Sequence, residues 1–585
     1  MNHMHLFPFI SLGLPEAKRE LEHAVRMLQC PAVTMLVESN VFTATVGSGT
    51  SPVMAALPDV MPPETEEGFA VVHGKNASLH IVSGTAHGLA NGLYELRRRL
   101  LVAEDGGLEA QELLREGVHA PHFKQRDFYH FLSPWRLQHL SCDTFTPGEW
   151  KTHLDRMRAL NANRFYFDIW FDQYFHPDWV ETAHNRELYD RIKAACDYAH
   201  ELGMRTGVYL FPAQVPVSVY LSHAEARGVE AKNYYGINAC PSKGWEHIIK
   251  IDAFLLHYFG SSLDDLVVEM QDPGSCLCED CCRDFPQIVL RYLDTYRDLS
   301  GAHSDRRIDV CSLHFRDWLE EGDAEGGPTI PIQGLRNEVF PKLAPGTTLI
   351  DIDEETLDQG RGLGLDANYF FFDLDPESGI ENHQVFPRVK LRRIEQQVRE
   401  SIKRGHQGIT DYRMMPFAQF PADFVLFRKC WDPDLDMESI LDELGAEYGL
   451  EAEDRPKFSQ ALRDLDAFWE ASDFDALAAG YDALQSLRPS SRNVYFLDLC
   501  DLVAILNLLA GYLKENREQV AEPSFYPPAD LVEETRLKMT GPRIFEAYTA
   551  NQHWIARSDE VIGQRIRWWL QAIAAELGLS GCNTE

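Results

Sequence analysis

Residues 264–285 read DDLVVEMQDPGSCLCEDCCRDF and combine two kinds of chemistry. A strand-like pattern delivers Glu269, Gln271 and Asp272 to a Pro-Gly turn, and Cys276, Cys278, Cys281 and Cys282 follow at once. Two acids at a strand end fit proton transfer, whereas clustered thiols fit metal or redox chemistry. C-x-C-x-x-C-C supplies four thiolates, enough for a tetrahedral structural zinc, although such sites commonly pair two separated knuckles. A local disulfide and a turn of free buried thiols stay open beside zinc. Catalytic zinc is disfavoured, because no H-E-x-x-H or comparable histidine pair accompanies the cluster.

The elements that must position these groups show a rhythm. Strand-like segments occur at 123–132, 164–171, 205–212, 264–272, 307–315, 347–355, 367–375 and 408–417. Helical patterns such as GEWKTHLDRMRALNA (148–162) and RELYDRIKAACDYAHELG (186–203) fill most gaps. Eight strands separated by helices predict an α/β fold, a (β/α)8 TIM barrel over 121–425. The gap between the sixth and seventh strands is too short for a full helix, which makes that part of the count the weakest. An open doubly wound sheet is the runner-up, but no glycine-rich phosphate turn follows the first strand.

Residues 1–120 predict a small α/β domain. Its marks are a helix at 15–28, strands at 70–73 and 78–83, and a helix at 84–100 carrying Leu89, Leu93 and Leu96 on one face. Beyond about residue 425 strand signals vanish, and amphipathic stretches at 437–449, 493–516 and 562–578 predict an α-helical domain over 426–585. Trp568 and Trp569 read as packing rather than as a ligand platform.

With 585 residues, 45% hydrophobic and 25% charged, the chain is globular and long enough for several cores. A net charge of −35 opposes binding to nucleic acid, whose phosphates it would repel. No apolar run approaches 18 residues, so neither a membrane nor a transmembrane helix is expected. The twelve cysteines do not form a disulfide scaffold, and several sit in apolar runs. A cytoplasmic location is expected, or a periplasmic one if a signal peptide precedes the sequence.

In a barrel strand alternate residues face the interior, and barrel enzymes work at the C-terminal rim. Tyr166, Asp168 and Trp170 share a face of the second strand; Val267, Glu269 and Gln271 share one of the fourth. Asp351 and Asp353 share one of the sixth, and Asp373 and Asp375 one of the seventh. A rim of carboxylates with Tyr129, Tyr166, Trp170, Tyr209 and Tyr412 suits a sugar, since aromatic faces stack on pyranose rings and paired carboxylates run glycosidic cleavage. Arg126, Arg413 and His130 are candidates for a negative substrate group, and His314 for a core or substrate hydrogen bond.

Several segments then suggest a family. LHIVSGTAHGLANGLYELRRRL (79–100) resembles the small domain preceding the barrel in xylan α-glucuronidases and β-N-acetylhexosaminidases. WKTHLDRMRALNANRFYFDIWF (150–171), LGMRTGVYLFPAQVP (202–216) and KCWDPDLDMESILDELGAEYG (429–449) are closer to the α-glucuronidase side. The cysteine-bearing turn resembles that of an uncharacterised bacterial group of related barrels. The resemblance implies an exo-acting, inverting glycoside hydrolase that removes a terminal sugar, a uronic acid included, with no cofactor needed for catalysis. It implies Glu269 as general acid, with Asp272 the alternative, and Asp353 with Asp373 or Asp375 activating water. A substrate-assisted β-N-acetylhexosaminidase and a non-catalytic carbohydrate-binding barrel are the rivals. A homodimer through the helical region is a further expectation.

Overall fold

The computed structural model describes residues 19–24, 33–38, 41–46, 63–74, 79–103, 113–130, 145–169, 183–229, 238–269, 276, 278–301, 306–312, 334–371, 386–413, 416–489, 493–522, 524–538 and 559–579. Five antiparallel strands come first: β1 (Val33–Glu38), β2 (Val41–Val46), β3 (Phe69–His73), β4 (Leu79–Ser83) and β5 (Gly117–His119), in the order β1-β2-β4-β3-β5. Helix α1 (Ala86–Val102) packs on this sheet, started by Thr85, whose side chain accepts from the Gly88 amide. Leu89, Leu93 and Leu96 lie in the core between helix and sheet.

Eight parallel strands then close a barrel: β6 (Gln125–His130), β7 (Arg164–Asp168), β8 (Arg205–Leu210), β9 (Asp265–Glu269), β10 (Arg307–Cys311), β11 (Thr348–Asp351), β12 (Asp366–Phe371) and β13 (Gly408–Arg413). Closure by β13 against β6 excludes the open sheet. Between β11 and β12 a helix of nine residues (Glu354–Gly362) fits after all, entered through an Asp353 cap and tight against β11, where Gly360 leaves room for Leu349.

Barrel interiors are usually filled with branched apolar side chains. Here the lower interior is a hydrogen-bonded polar network. Asp127 accepts from Asn368 Nδ2 at 3.0 Å and Thr410 Oγ1 at 3.0 Å, and Arg164 lies 3.7 Å away. Asp265 accepts from the Tyr166 hydroxyl at 3.0 Å and from Arg205 Nε at 3.2 Å. Burial pushes Asp127 up to about 6 against the pull of Arg164. Gly207 is required in this layer, because a Cβ there would sit 2.1 Å from the Tyr166 ring. Gly207→Ala is therefore expected to displace Tyr166 from Asp265 and cost roughly 1–3 kcal/mol of stability, read by urea denaturation.

After β13 the chain is helical among the described residues, from Pro416–Trp431 through Met437–Glu447 to Asp559–Glu576. Trp569 is buried there with its ring edge-on to Phe386, the packing role read from the sequence. One segment, Tyr495–Glu515, is long and apolar enough to cross a membrane, contrary to the sequence reading, and 67% of its apolar window is buried among the other helices. Arginine–carboxylate pairs join the three regions. Arg428 of helix Pro416–Trp431 donates from Nε to Glu443 at 2.7 Å and also pairs with Glu95 of α1, all three being buried.

Candidate active site

Alternation in the strands decides what reaches the barrel mouth. In β9, Asp265 and Val267 face inward, so Glu269, the last strand residue, does too; in β7, Arg164 and Tyr166 bring Asp168 to the same class. Asp168 is fully buried and Glu269 is 4% exposed. The two strands flank β8, where Asp168 stands opposite Tyr209. Both carboxylates act on one group: the Tyr129 hydroxyl is held well above the ordinary phenol range by burial first, then by Asp168 and Glu269. Two acids from different strands thus converge over Tyr129.

Beneath them lies an aromatic floor. Tyr129 stacks on Tyr209 with ring centroids 4.0 Å apart and is tilted against Tyr412 at 5.3 Å. Phe370 closes the layer, 5.6 Å from Tyr412. Two carboxylates above a phenol-rich floor offer proton donors and acceptors on one side and a flat apolar surface on the other. That arrangement suits a sugar ring and acid/base cleavage of its glycosidic bond.

No protein-family model matches the chain. No curated protein matches it either. Among solved structures, a family GH138 enzyme targeting pectin rhamnogalacturonan II superposes with a TM-score of 0.52 at 10% identity, covering 85% of this chain and 69% of that one. A family GH115 4-O-methyl-α-glucuronidase with specificity for decorated arabinogalactans gives 0.51 at 12% identity, over 88% and 70%. An exo-β-N-acetylglucosaminidase from Vibrio harveyi gives 0.45 at 10% identity, over 69% and 67%. The chain shares its fold with glycoside hydrolases. The sequence resemblance is to this same fold, and at such identities the likeness extends to the fold alone.

In this glycoside hydrolase fold several residues read as rim ligands lie elsewhere. Arg126 faces outward from β6: its Nη2 donates to Glu67 at 2.7 Å, its Nε donates to the Asn161 carbonyl, and its guanidinium lies over Trp431. It anchors the small domain, and binding substrate is not open to it. His130 shares that outward class and packs against helix Pro147–Ala159, where one imidazole Nε2–H of the His130–His153 pair donates to the other ring at 2.8 Å. Tyr166 lies in the interior polar layer, below the floor. Tyr209 and Tyr412 form the floor itself.

Asp353 is also corrected. Thr348 of β11 faces the barrel interior and Leu349 the helices, so Asp351 and Asp353 belong to the helix-facing class. Asp353 caps helix Glu354–Gly362, accepting from the Thr356 amide at 3.1 Å, and pairs with Arg336 at 3.2 Å. Alternation placed the acids on one face, but not which face that was. Burial raises Asp351 to about 6 while Ser312 donates to it. Asp272, Asp373, Asp375, Trp170, Gln271 and His314 lie outside the described residues, as does the Arg413 side chain.

The His130–His153 pair has a consequence for stability. Burial holds His153 down at about 3, Arg156 adding to the effect, whereas the unfolded imidazole titrates near 6.5. Below pH 6.5 the unfolded chain takes up a proton that the folded protein refuses, so stability present at neutral pH is lost as the pH falls toward 3. Between pH 7 and pH 5 the wild type is expected to lose about 2 kcal/mol more than His153→Gln, read by urea denaturation at both values.

The cysteines also rearrange. Cys240, Cys276, Cys278 and Cys281 bring their sulfurs within 4.8 Å of one another, and Cys282 is not among them. Cys281 and Cys282 are neighbours on the short helix Glu279–Arg283, so their side chains leave it about 100° apart and only one can face the cluster. Cys240 stands 36 residues before Cys276, too far for any spacing motif to flag it. All of these thiols are free, so the disulfide reading is set aside.

Proposed function

We propose that this protein is an exo-acting glycoside hydrolase that releases a terminal sugar from an oligosaccharide, with Glu269 as the general acid. The observation that carries the reading is the convergence of Glu269 and Asp168 over the Tyr129–Tyr209 floor at the C-terminal mouth of the barrel. Glu269 donates its proton to the leaving oxygen. Asp168 takes the water-activating role that the resemblance gave to Asp353 and that the capping contacts of Asp353 withhold from it. Because β8 separates β7 from β9, their backbones stand ~10 Å apart at ~4.8 Å per strand spacing. Inward side chains from such strands reach the wider carboxylate separation of inverting enzymes, ~6.5–9.5 Å, more readily than the ~5–5.5 Å of retaining ones.

The fold shared with glycoside hydrolases supports the reaction class, and the activity of the α-glucuronidase neighbour supports a uronic acid as one candidate sugar. Two of the three side chains read as holding that acid, Arg126 and His130, face away from the mouth. The proposal therefore names a terminal sugar without requiring an acidic one. A panel of 4-nitrophenyl α- and β-glycosides, covering neutral, N-acetylated and uronic sugars, tests it, with the anomer of the product read by NMR. Turnover of one sugar class with inversion is expected. A wild-type protein inert toward the whole panel and toward plant and bacterial oligosaccharides sinks the reading.

A further inference from the structure

The thiol cluster carries an inference independent of the reaction. Cys240 ends the connection from the third barrel strand and stands immediately before helix Pro241–Phe259, while Cys276, Cys278 and Cys281 follow the fourth strand. Three of the four are almost wholly buried and Cys278 is partly so. The Sγ of Cys240 lies 3.7 Å from that of Cys278 and 3.5 Å from that of Cys281. A disulfide requires ~2.05 Å between sulfurs. A tetrahedron of thiolates around zinc, at ~2.3 Å per Zn–S bond, requires ~3.8 Å. Both distances match the edge length of a zinc tetrahedron and lie far outside that of a covalent bridge, and all four sulfurs lie within 4.8 Å of one another.

The surroundings suit bound thiolates. The Val229 amide N–H donates to Cys276 Sγ at 3.2 Å, and the Ser242 hydroxyl lies 3.2 Å from Cys281 Sγ. Donors of this kind orient metal-bound sulfur and spread its negative charge. The N-terminus of helix Pro241–Phe259, beside Cys240, adds a partial positive charge. Four soft sulfur ligands select a thiophilic metal over magnesium or calcium. No position in a four-thiolate set is left open for water, so such a site is structural rather than catalytic.

We propose that Cys240, Cys276, Cys278 and Cys281 bind one structural zinc ion. The metal clasps the segment after the third barrel strand to the segment after the fourth, only seven residues beyond Glu269. Binding displaces four thiol protons to solvent and changes no oxidation state. The ligand set differs from the one the spacing suggested, with Cys240 in place of Cys282, and this difference is the test.

Full-length protein, grown with zinc and purified without chelator, is expected to hold one zinc per chain by elemental mass spectrometry. Cys282→Ser is expected to keep it. Cys240→Ser is expected to lose at least nine-tenths of it. If Cys240→Ser does not fold, cobalt substitution of the wild type and of Cys282→Ser decides instead. Both should then show the intense thiolate-to-cobalt absorption of a tetrahedral four-sulfur site. Zinc-free wild type that also fails to take up added zinc or cobalt overturns the proposal. So does zinc loss in Cys282→Ser with retention in Cys240→Ser.

Discussion

Glu269→Gln is expected to lower kcat on an unactivated glycosidic linkage by ~10²–10⁴-fold while changing KM little, because the amide keeps the shape and loses the proton. Glu269 is the last residue of its strand and nearly buried, and after burial its charge and that of Asp168 help to hold the Tyr129 hydroxyl above the ordinary phenol range. Gln preserves the volume and the neutral charge of the protonated acid, so folding should not suffer. Steady-state kinetics on an oligosaccharide carrying the sugar that the glycoside panel selects, beside thermal unfolding of both proteins, separates loss of chemistry from loss of structure. A variant retaining more than a tenth of wild-type kcat on such a linkage contradicts the assignment.

The largest expected effect on stability lies far from the mouth. Arg428→Met is expected to destabilise the protein by about 3–5 kcal/mol, since removing one partner of a buried ion pair leaves an uncompensated charge inside. Arg428 bridges Glu95 of α1 and Glu443 of helix Met437–Glu447, and its side chain is 1% exposed. Arg98 still reaches Glu95 in the variant, and Arg99 still reaches Glu443 at 3.3 Å, but the carboxylate of Glu443 stays buried. Arg428→Lys keeps the charge and loses the planar fork, so it should fall between the two. Denaturant unfolding followed by tryptophan fluorescence measures both, and a loss below 1 kcal/mol for Arg428→Met would mean that the bridge adds little.

The barrel was legible because period-two strands and helical patterns alternate along the chain, and all eight strand-like segments pair as expected. Strands β1, β2 and β5 were missed: two lie in a short antiparallel hairpin and the third is only three residues long. At the mouth, Glu269 and Asp168 were readable because each ends a strand whose alternation is unambiguous. Asp353 was misread because alternation in TLIDID leaves open which face is inner until Thr348 is seen bonded inside the barrel. Arg126 failed for a related reason, one residue out of phase with Gln125 and Asp127. Cys240 had no sequence signal at all, since its nearness to Cys276, Cys278 and Cys281 arises only when consecutive barrel strands bring their connections together.

The central claim, that Glu269 protonates the leaving oxygen of a glycoside, is tested most directly by varying the leaving group. A 2,4-dinitrophenyl leaving group departs as a stable anion and needs no proton, whereas an alkyl or sugar leaving group does. Glu269→Gln is therefore expected to cleave the dinitrophenyl glycoside of the preferred sugar at close to the wild-type rate and to be nearly inactive on the corresponding oligosaccharide. An equal fall on both substrates would contradict the account and give Glu269 some role other than that of general acid.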